Sequence, residues 1–237
     1  MTTEKNKVES SVLIVIPAYN EAENIEKVVN ELINEYPQYD YVVINDCSTD
    51  NTKEICQNNN YNIVNLPINT GLGTVVQTGF KYALRHQYDY VIQYDGDGQH
   101  NACYIETLLE EASNGVNIVI GSRFIDDKKG MSLRNIGSHI ITMAINVVAN
   151  VKLTDPTSGF KCYDKVALNH YVNKMNVSPE ADDLVYLIKK KKLAVKEVPV
   201  KMNDRLNGES YFNIVTSCKF MLNMLISIFC VQLFRRD

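Results

Sequence analysis

The sequence has no CxxC pair, no apolar run long enough to span a bilayer and no internal repeat, and each absence removes a class of protein. Its six cysteines, Cys47, Cys56, Cys103, Cys162, Cys218 and Cys230, are scattered. Neither a zinc knuckle nor a disulfide framework is therefore expected, and free thiols in a reducing compartment follow. The polar stretch before Val12 has no apolar core, so no secretory signal is read there. The most apolar stretch, 220–234, is only fifteen residues long and includes Asn223, Ser227 and Gln232. Crossing a bilayer takes about 20 apolar residues. No GxGxxG follows the first apolar run. Gly71-Leu72-Gly73 comes only after the third, which argues against a dinucleotide-binding oxidoreductase.

What is present suits one globular α/β domain. The 237 residues are 45% hydrophobic and 22% charged, enough to bury a full core. Residues 1–10 are polar and aperiodic and read as a flexible N-terminus. Net charge is −4, unevenly spread: from position 189 onward ten Lys/Arg face four Asp/Glu, a local net of +6, leaving −10 for the rest. A basic tail on an acidic body points towards an anionic surface such as phospholipid headgroups. For Lys189 to Lys192 alone, a solvated helix face explains the charge as well.

Apolar runs and helical periods alternate. Val12-Leu-Ile-Val-Ile16 ends at Pro17 and reads as a buried strand. Asn20, three residues before Glu23, is the expected N-cap of a helix carried by Ile25, Val28, Val29 and Leu32. Strands are expected at 41–44, 62–66, 88–94, 117–120 and 194–202. Helices are expected at 52–57, 75–85, 104–112 and 133–150. The last of these has a polar stripe of Asn135, Ser138, His139, Thr142 and Asn146 opposite Ile and Val. Residues 155–160 read as a turn-rich loop. This alternation calls for a mostly parallel, Rossmann-like sheet flanked by helices. Ligands of such sheets bind beyond the carboxyl ends of the strands, which gathers residues 17–21, 45–50 and 95–99 on one rim.

Asp95 and Asp97 carry the most specific chemistry on that rim. Two carboxylates at i and i+2 just past a strand converge on one divalent cation where the chain turns, and Gly96 and Gly98 permit the turn. Oxygen ligands suit Mg²⁺ or Mn²⁺, which keep water and phosphate oxygens as further ligands. Gln99 is the candidate third ligand. Such a cation stabilises a departing diphosphate.

The runs PAYNE, NDCSTDNT, NTGLGTVVQTG, YVIQYDGDGQH, IGSRF, DPTSGFK and EVPVKMNDRLNGES stand in this order over about residues 12–211. The chain thereby resembles glycosyltransferase family 2, above all its dolichol/polyprenyl-phosphate sugar synthase branch. The resemblance implies a GT-A fold for residues 11–211, and the apolar stretch beyond it reads as a C-terminal amphipathic, apolar helix within 212–237. It implies that Pro17, Tyr19, Asn20 and Glu21 hold the nucleoside, that Asp46 reaches the base and that Gly71 lines the nucleotide-sugar site. Asp95, Asp97 and Gln99 would hold the metal, and Arg123 would meet the diphosphate. Arg134, Ser138 and Arg205 would lie at the acceptor phosphate, since a guanidinium bonds phosphate oxygens bidentately. Three departures from the family pattern stand out: Asn45-Asp46 replaces two acids, Cys47 a common glycine and Leu72 a lysine or isoleucine.

The acceptor decides the mechanism. A sugar hydroxyl would want a carboxylate base, for which Asp182 or Glu180 is the candidate. A lipid monophosphate, with a second pKa of about 6, is already ionised at neutral pH. The basic tail, the apolar C-terminal segment and Arg205 favour the phosphate. The expectation is therefore an inverting, metal-dependent hexosyltransferase, with Asp97 and Arg205 central to catalysis. It would move sugar from a UDP- or GDP-sugar to a polyprenyl phosphate at the cytoplasmic membrane face. It would attach peripherally through Lys219, Asn223 and Ser227 and the apolar face around them, or through a small membrane partner subunit. Extension of a saccharide chain is the alternative, and an inactive sugar-nucleotide-binding regulatory subunit the alternative of another class. No nucleic-acid partner is expected, and a homo-oligomer stays open.

Overall fold

The structure, a computed structural model, describes residues 10–126, 133–175, 180–203, 221–232 and 234–235, without the side chains of 133–136, 174, 175 and 231. Within them one sheet is built from β1 (Val12–Ala18), β2 (Asp40–Asn45), β3 (Ile63–Asn65), β4 (Tyr90–Gln93), β5 (Ile118–Ser122), β6 (Lys161–Asp164) and β7 (Val195–Pro199). Its order is β3-β2-β1-β4-β6-β5-β7. The unbroken apolar run of β1 is buried along its whole length, which suits a central strand covered on both faces. It pairs in parallel with β2 on one side and β4 on the other. The chain order reverses here, so the crevice between the carboxyl ends of β1 and β4 is the topological switch point.

Successive β1 side chains face opposite layers. Ile14 and Ile16 meet α1 (Ile25–Glu35), α2 (Thr52–Asn58) and α4 (Ile105–Ser113), while Leu13 and Val15 meet α3 (Leu72–Arg85). The second layer also takes α5 (Leu133–Ala149), α6 (Lys165–Asn169) and α7 (Asp183–Lys189). Helix α3 lies so close to the sheet that a Cβ on Gly79 would stand 2.3 Å from Val15.

Four expectations change. Helix α1 begins at Ile25 behind Asn24, and Asn20 is no N-cap: it sits in the left-handed region at φ 55° and serves the rim instead. Residues 161–164, for which no element was expected, form β6, antiparallel to both β4 and β5. The polar stripe of α5 turns partly inward: Thr142 is buried, Asn146 bonds both backbone groups of Leu153, and Met143 and Val147 are left exposed. The segment after 220 is helical over 221–226, continues as a π turn over Ser227–Val231 and packs inward through Met224 and Ile228. Of the polar stripe expected there, Lys219 lies outside the described residues, Asn223 is exposed and Ser227 turns towards Asp182. The boundary at 211/212 lies outside the described residues.

Candidate functional site

One side of the rim is a pair of loops, following β1 and β2, braced against each other. Asn20 Oδ1 accepts the Thr49 backbone N–H at 2.8 Å, and Asn20 N–H donates to Ser48 Oγ at 3.0 Å. Glu21 N–H donates to Thr52 Oγ1 at 2.9 Å and Ala22 N–H to Asp50 Oδ2 at 3.0 Å. Burial pushes the Asp50 carboxyl up, but hydrogen bonds from Thr52 and Ala22 outweigh it and hold the pKa below the ordinary value. Pro17 is buried at the end of β1, its carbonyl receiving Gly96 N–H at 3.3 Å, and Tyr19 is half-buried beside it.

Asp46, expected at a base, is 3% exposed. Its carboxylate accepts from Thr70 N, Thr70 Oγ1 and Gly71 N at 2.8–2.9 Å. It therefore shapes the loop that opens α3, where Gly71 takes φ 84°, a conformation glycine adopts without Cβ strain. Asn45 is buried too and bonds Asn65 and Ser48. Cys47 holds φ 57°, which costs a non-glycine residue about 1–2 kcal/mol and explains why a glycine suits this position.

The carboxylate pair sits at the switch point on a stiff loop. Asp97 Oδ1 accepts Gln99 N–H at 3.0 Å, closing a turn of its own, while Gln99 O receives Asn203 N–H at 2.8 Å. His100 is buried between Phe160, stacked at 4.8 Å, and Tyr94, edge-on at 5.4 Å. Its Nδ1 accepts the Asp95 backbone N–H at 2.9 Å, so the proton rides on Nε2, 3.5 Å from Asp95 Oδ2. Burial lowers the His100 pKa against the pull of Asp95 and Asp97. A neutral, fixed imidazole thus orients Asp95, a role sequence reasoning missed although His100 closes the motif. Among the described residues no group of three or more His, Cys, Asp or Glu gathers to hold an ion. The pair fits Mg²⁺ or Mn²⁺ that completes its shell with diphosphate oxygens and water.

Gly159 packs directly behind this pair: a Cβ there would lie 2.7 Å from Asp95 Oδ2. The carboxylate end can swing away, so Gly159→Ala should change stability by less than about 1 kcal/mol. The displaced ligand should weaken Mn²⁺ binding by about tenfold, as for other changes that misorient a metal ligand. Calorimetric titration of Mn²⁺ with a nucleoside diphosphate, beside a thermal melt, checks this. Unchanged Mn²⁺ affinity would refute it.

The next side of the crevice is held by Glu197 of β7. It accepts Thr154 N–H at 2.7 Å and Asp155 N–H at 2.6 Å. Asp155, fully buried, takes Arg123 Nε at 2.6 Å and Nη2 at 2.9 Å. Arg123, expected at the diphosphate, thus commits two donors to an internal pair. Ser138 of α5 meets Thr157 at 3.0 Å, which draws α5 onto the same loop. The Arg134 side chain and all of Arg205 lie outside what is described.

The acidic group before α7 differs most from expectation. Asp182, a candidate base, is buried, and its Oδ2 accepts from Ser227 Oγ and, at 2.9 Å, from Gln232 Nε2. It anchors the C-terminal segment through that oxygen. Asp183 accepts from Gln232 Nε2 at 3.2 Å and Arg235 Nη1 at 3.2 Å. Burial and then the Asp182 charge push its pKa up to about 7, against the pull of Arg235. Glu180 is the most open of the three, with its pKa raised by desolvation of the carboxyl end and by Asp182. Lys161, the first residue of β6, is 7% exposed, and burial lowers its pKa to about 8 while Asp155, Asp183, Asp95 and Glu180 draw it up. Neither Asp183 nor Lys161 was legible as a site residue, because their neighbours come from distant stretches of chain.

Sheet order, switch point and carboxylate pair together define an α/β protein of the GT-A type. The chain belongs to glycosyl transferase family 2, whose family model matches residues 13–172. It is similar to the polyprenol monophosphomannose synthase of Mycolicibacterium smegmatis, 26% identical over 84% of this chain and 79% of that one. The dolichol-phosphate mannosyltransferase of Pyrococcus furiosus is 32% identical over 84% of this chain and 58% of its own longer one. A UDP-N-acetylglucosamine–dolichyl-phosphate N-acetylglucosaminyltransferase of Methanococcus voltae is 31% identical over 80% and 84%. These relatives belong to the dolichol/polyprenyl-phosphate sugar synthase branch expected from the motifs. Among solved structures, glucosyl-3-phosphoglycerate synthase of Mycobacterium tuberculosis with Mn²⁺, UDP-glucose and phosphoglyceric acid superposes with a TM-score of 0.70. It is 17% identical, covering 98% of this chain and 82% of that one, a likeness that carries the fold.

Proposed function

We propose that this glycosyltransferase moves one sugar, with inversion, from a UDP- or GDP-sugar to a polyprenyl phosphate at the cytoplasmic face of a membrane. The observation that carries the donor half is the Asp95–Asp97 pair at the switch point, beside the braced loops 17–21 and 45–50. Asp95, Asp97 and Gln99 would hold Mg²⁺ or Mn²⁺, which supplies charge neutralisation for the departing nucleoside diphosphate. The protein's own task is positioning. An acceptor phosphate oxygen attacks the anomeric carbon from the face opposite the diphosphate, forming one C–O bond as the other breaks. Names of the relatives support a lipid phosphate acceptor.

Incubation with UDP-glucose, UDP-galactose, UDP-N-acetylglucosamine or GDP-mannose, undecaprenyl phosphate and Mn²⁺ tests the reading. A lipid-linked sugar from one donor is expected, and transfer to saccharides alone would refute it. The raised pKa of Asp183 favours the saccharide reading, because a carboxyl near pKa 7 suits a general base. If phosphate is the acceptor, Glu180 variants should lose little.

The exposed Leu222, Ile226 and Phe229 lie at i, i+4 and i+7 on the C-terminal helix, one face of which is thus apolar and open. Among the described residues no helix is long and apolar enough to cross a membrane, so attachment would be peripheral. The combined Leu222→Ser, Ile226→Ser and Phe229→Ser variant should stay folded and sediment at least tenfold less with phosphatidylglycerol vesicles. Equal sedimentation would count against docking through this face.

A further inference from the structure

We propose that Glu197 is a positioning residue: acting through Arg123, it sets a guanidinium for a phosphate oxygen of the substrates. The inference rests on the glycosyl-transfer reading above, whichever acceptor is used. Glu197 stands on the edge strand β7, level with Ile120 of β5, and Arg123 follows the end of β5. Both of its carboxylate oxygens are committed, and each begins a route to Arg123. Oε1 accepts the Asp155 N–H at 2.6 Å. The buried Asp155 carboxylate in turn takes Arg123 N at 3.3 Å, Nε at 2.6 Å and Nη2 at 2.9 Å. Oε2 accepts the Thr154 N–H at 2.7 Å and the Thr154 hydroxyl at 2.8 Å. A carboxylate only accepts, so the Thr154 proton points at Glu197. Ser122 Oγ must then donate to Thr154 Oγ1, 2.5 Å away. Ser122 Oγ itself accepts at 3.2 Å from the N–H of Phe124, the residue after Arg123.

A carboxylate that merely fastened this loop to the sheet edge would need the Thr154 and Asp155 contacts and nothing beyond them. Here one route fixes the Arg123 side chain, and the other fixes the backbone just past it. What they fix is one edge of a guanidinium. Of its five N–H donors, two go to Asp155, and its Cζ lies 5.1 Å from the centre of the Phe124 ring. The Nη1 edge meets no partner among the described residues, and the side chain is 35% exposed. A planar fork held along one edge offers its other edge to an anion in a fixed direction. Glycosyl transfer brings phosphate to this rim, either in the donor diphosphate or on the acceptor.

The test compares wild type with Glu197→Gln, Arg123→Met and the double variant. Gln keeps the shape of the side chain but puts an NH2 group where one acceptor oxygen stood, so one route breaks. Calorimetry uses UDP or GDP with Mn²⁺ and, separately, farnesyl phosphate, which tells the donor's phosphate from the acceptor's. Kinetics follows sugar transfer. Glu197→Gln should lower affinity for one of these phosphates, and kcat/KM with it, by about tenfold or more. In the Arg123→Met background the same change should cost less than about twofold more, because its effect passes through the guanidinium. The thermal midpoint should fall by a few degrees in both backgrounds, since the lost loop contact does not depend on Arg123. Losses of affinity that multiply in the double variant overturn the positioning role, and so do wild-type phosphate affinities in Glu197→Gln. If Glu197→Gln fails to fold, Asp155→Asn, which alters only the side-chain route, carries the same expectation in the same cycle. Wild-type protein that transfers no sugar from any of the four nucleotide sugars overturns the glycosyl-transfer reading, and the calorimetric cycle still decides the role of Glu197.

Discussion

Asp97→Asn should lower turnover about 1,000-fold, a loss of about 4 kcal/mol of transition-state stabilisation, while leaving the fold intact. The carboxylate has two separable tasks. Its Oδ1 closes the turn onto Gln99 N–H, and its charge helps hold the divalent cation. An Asn oxygen keeps the turn and removes the charge, so Asn isolates the second task, whereas Ala would remove both. The expected pattern is an unchanged melting curve, Mn²⁺ affinity too weak to measure at ordinary concentrations and residual turnover near background. Chelation of the wild-type enzyme should give the same loss, reversed by added Mn²⁺. An Asn variant that keeps more than about a tenth of wild-type, metal-dependent turnover would exclude Asp97 as a ligand.

That pair was legible because its chemistry is local. Two acids two residues apart, glycines between and after, and an apolar strand in front are all visible within ten residues. The parallel half of the sheet was legible for the same reason, since β1, β2, β4 and β5 are apolar runs separated by helical periods. β6 was not. Its four residues, Lys-Cys-Tyr-Asp, are half charged and follow a turn-rich loop, and only the gap between β4 and β5 makes them a strand. The α5 stripe shows the limit of periodicity. The period revealed two faces but not that Ser138 and Asn146 would meet the loop at 151–157 and Thr142 would be buried while Val147 met solvent. Asp182 was legible as a candidate base, yet the partners of Asp182 and its neighbour Asp183, namely Ser227, Gln232 and Arg235, lie 45 to 52 residues further on. No local pattern encodes such a contact.

Those long-range contacts change what a C-terminal truncation would report. Removing residues 221–237 looks like removal of an anchor, but it should unfold or aggregate the protein. It would strip the buried Met224 and Ile228 from the core, each worth about 1.5–3 kcal/mol. It would also leave two adjacent buried carboxylates without Ser227, Gln232 and Arg235, and a buried charge that loses its partner costs about 3–5 kcal/mol. Against a typical stability of about 5–15 kcal/mol, that sum is decisive. The pH dependence of stability reports the same cluster. Asp183 is raised above its unfolded value of 3.8 to about 7. Its contribution is therefore fully present below pH 3.8 and is lost as the pH rises through about 7. Asp182, Glu180, Lys161, Tyr171 and Arg235 surround it and set that window. Asp183→Asn should flatten the fall in urea midpoint between pH 5 and pH 8, and Arg235→Met, which removes a cation in contact with Asp183, should steepen it. If the Asn variant keeps the wild-type slope, another group titrates in that window. If the truncated chain melts like the full one, the segment is an anchor after all and not a wall of the fold.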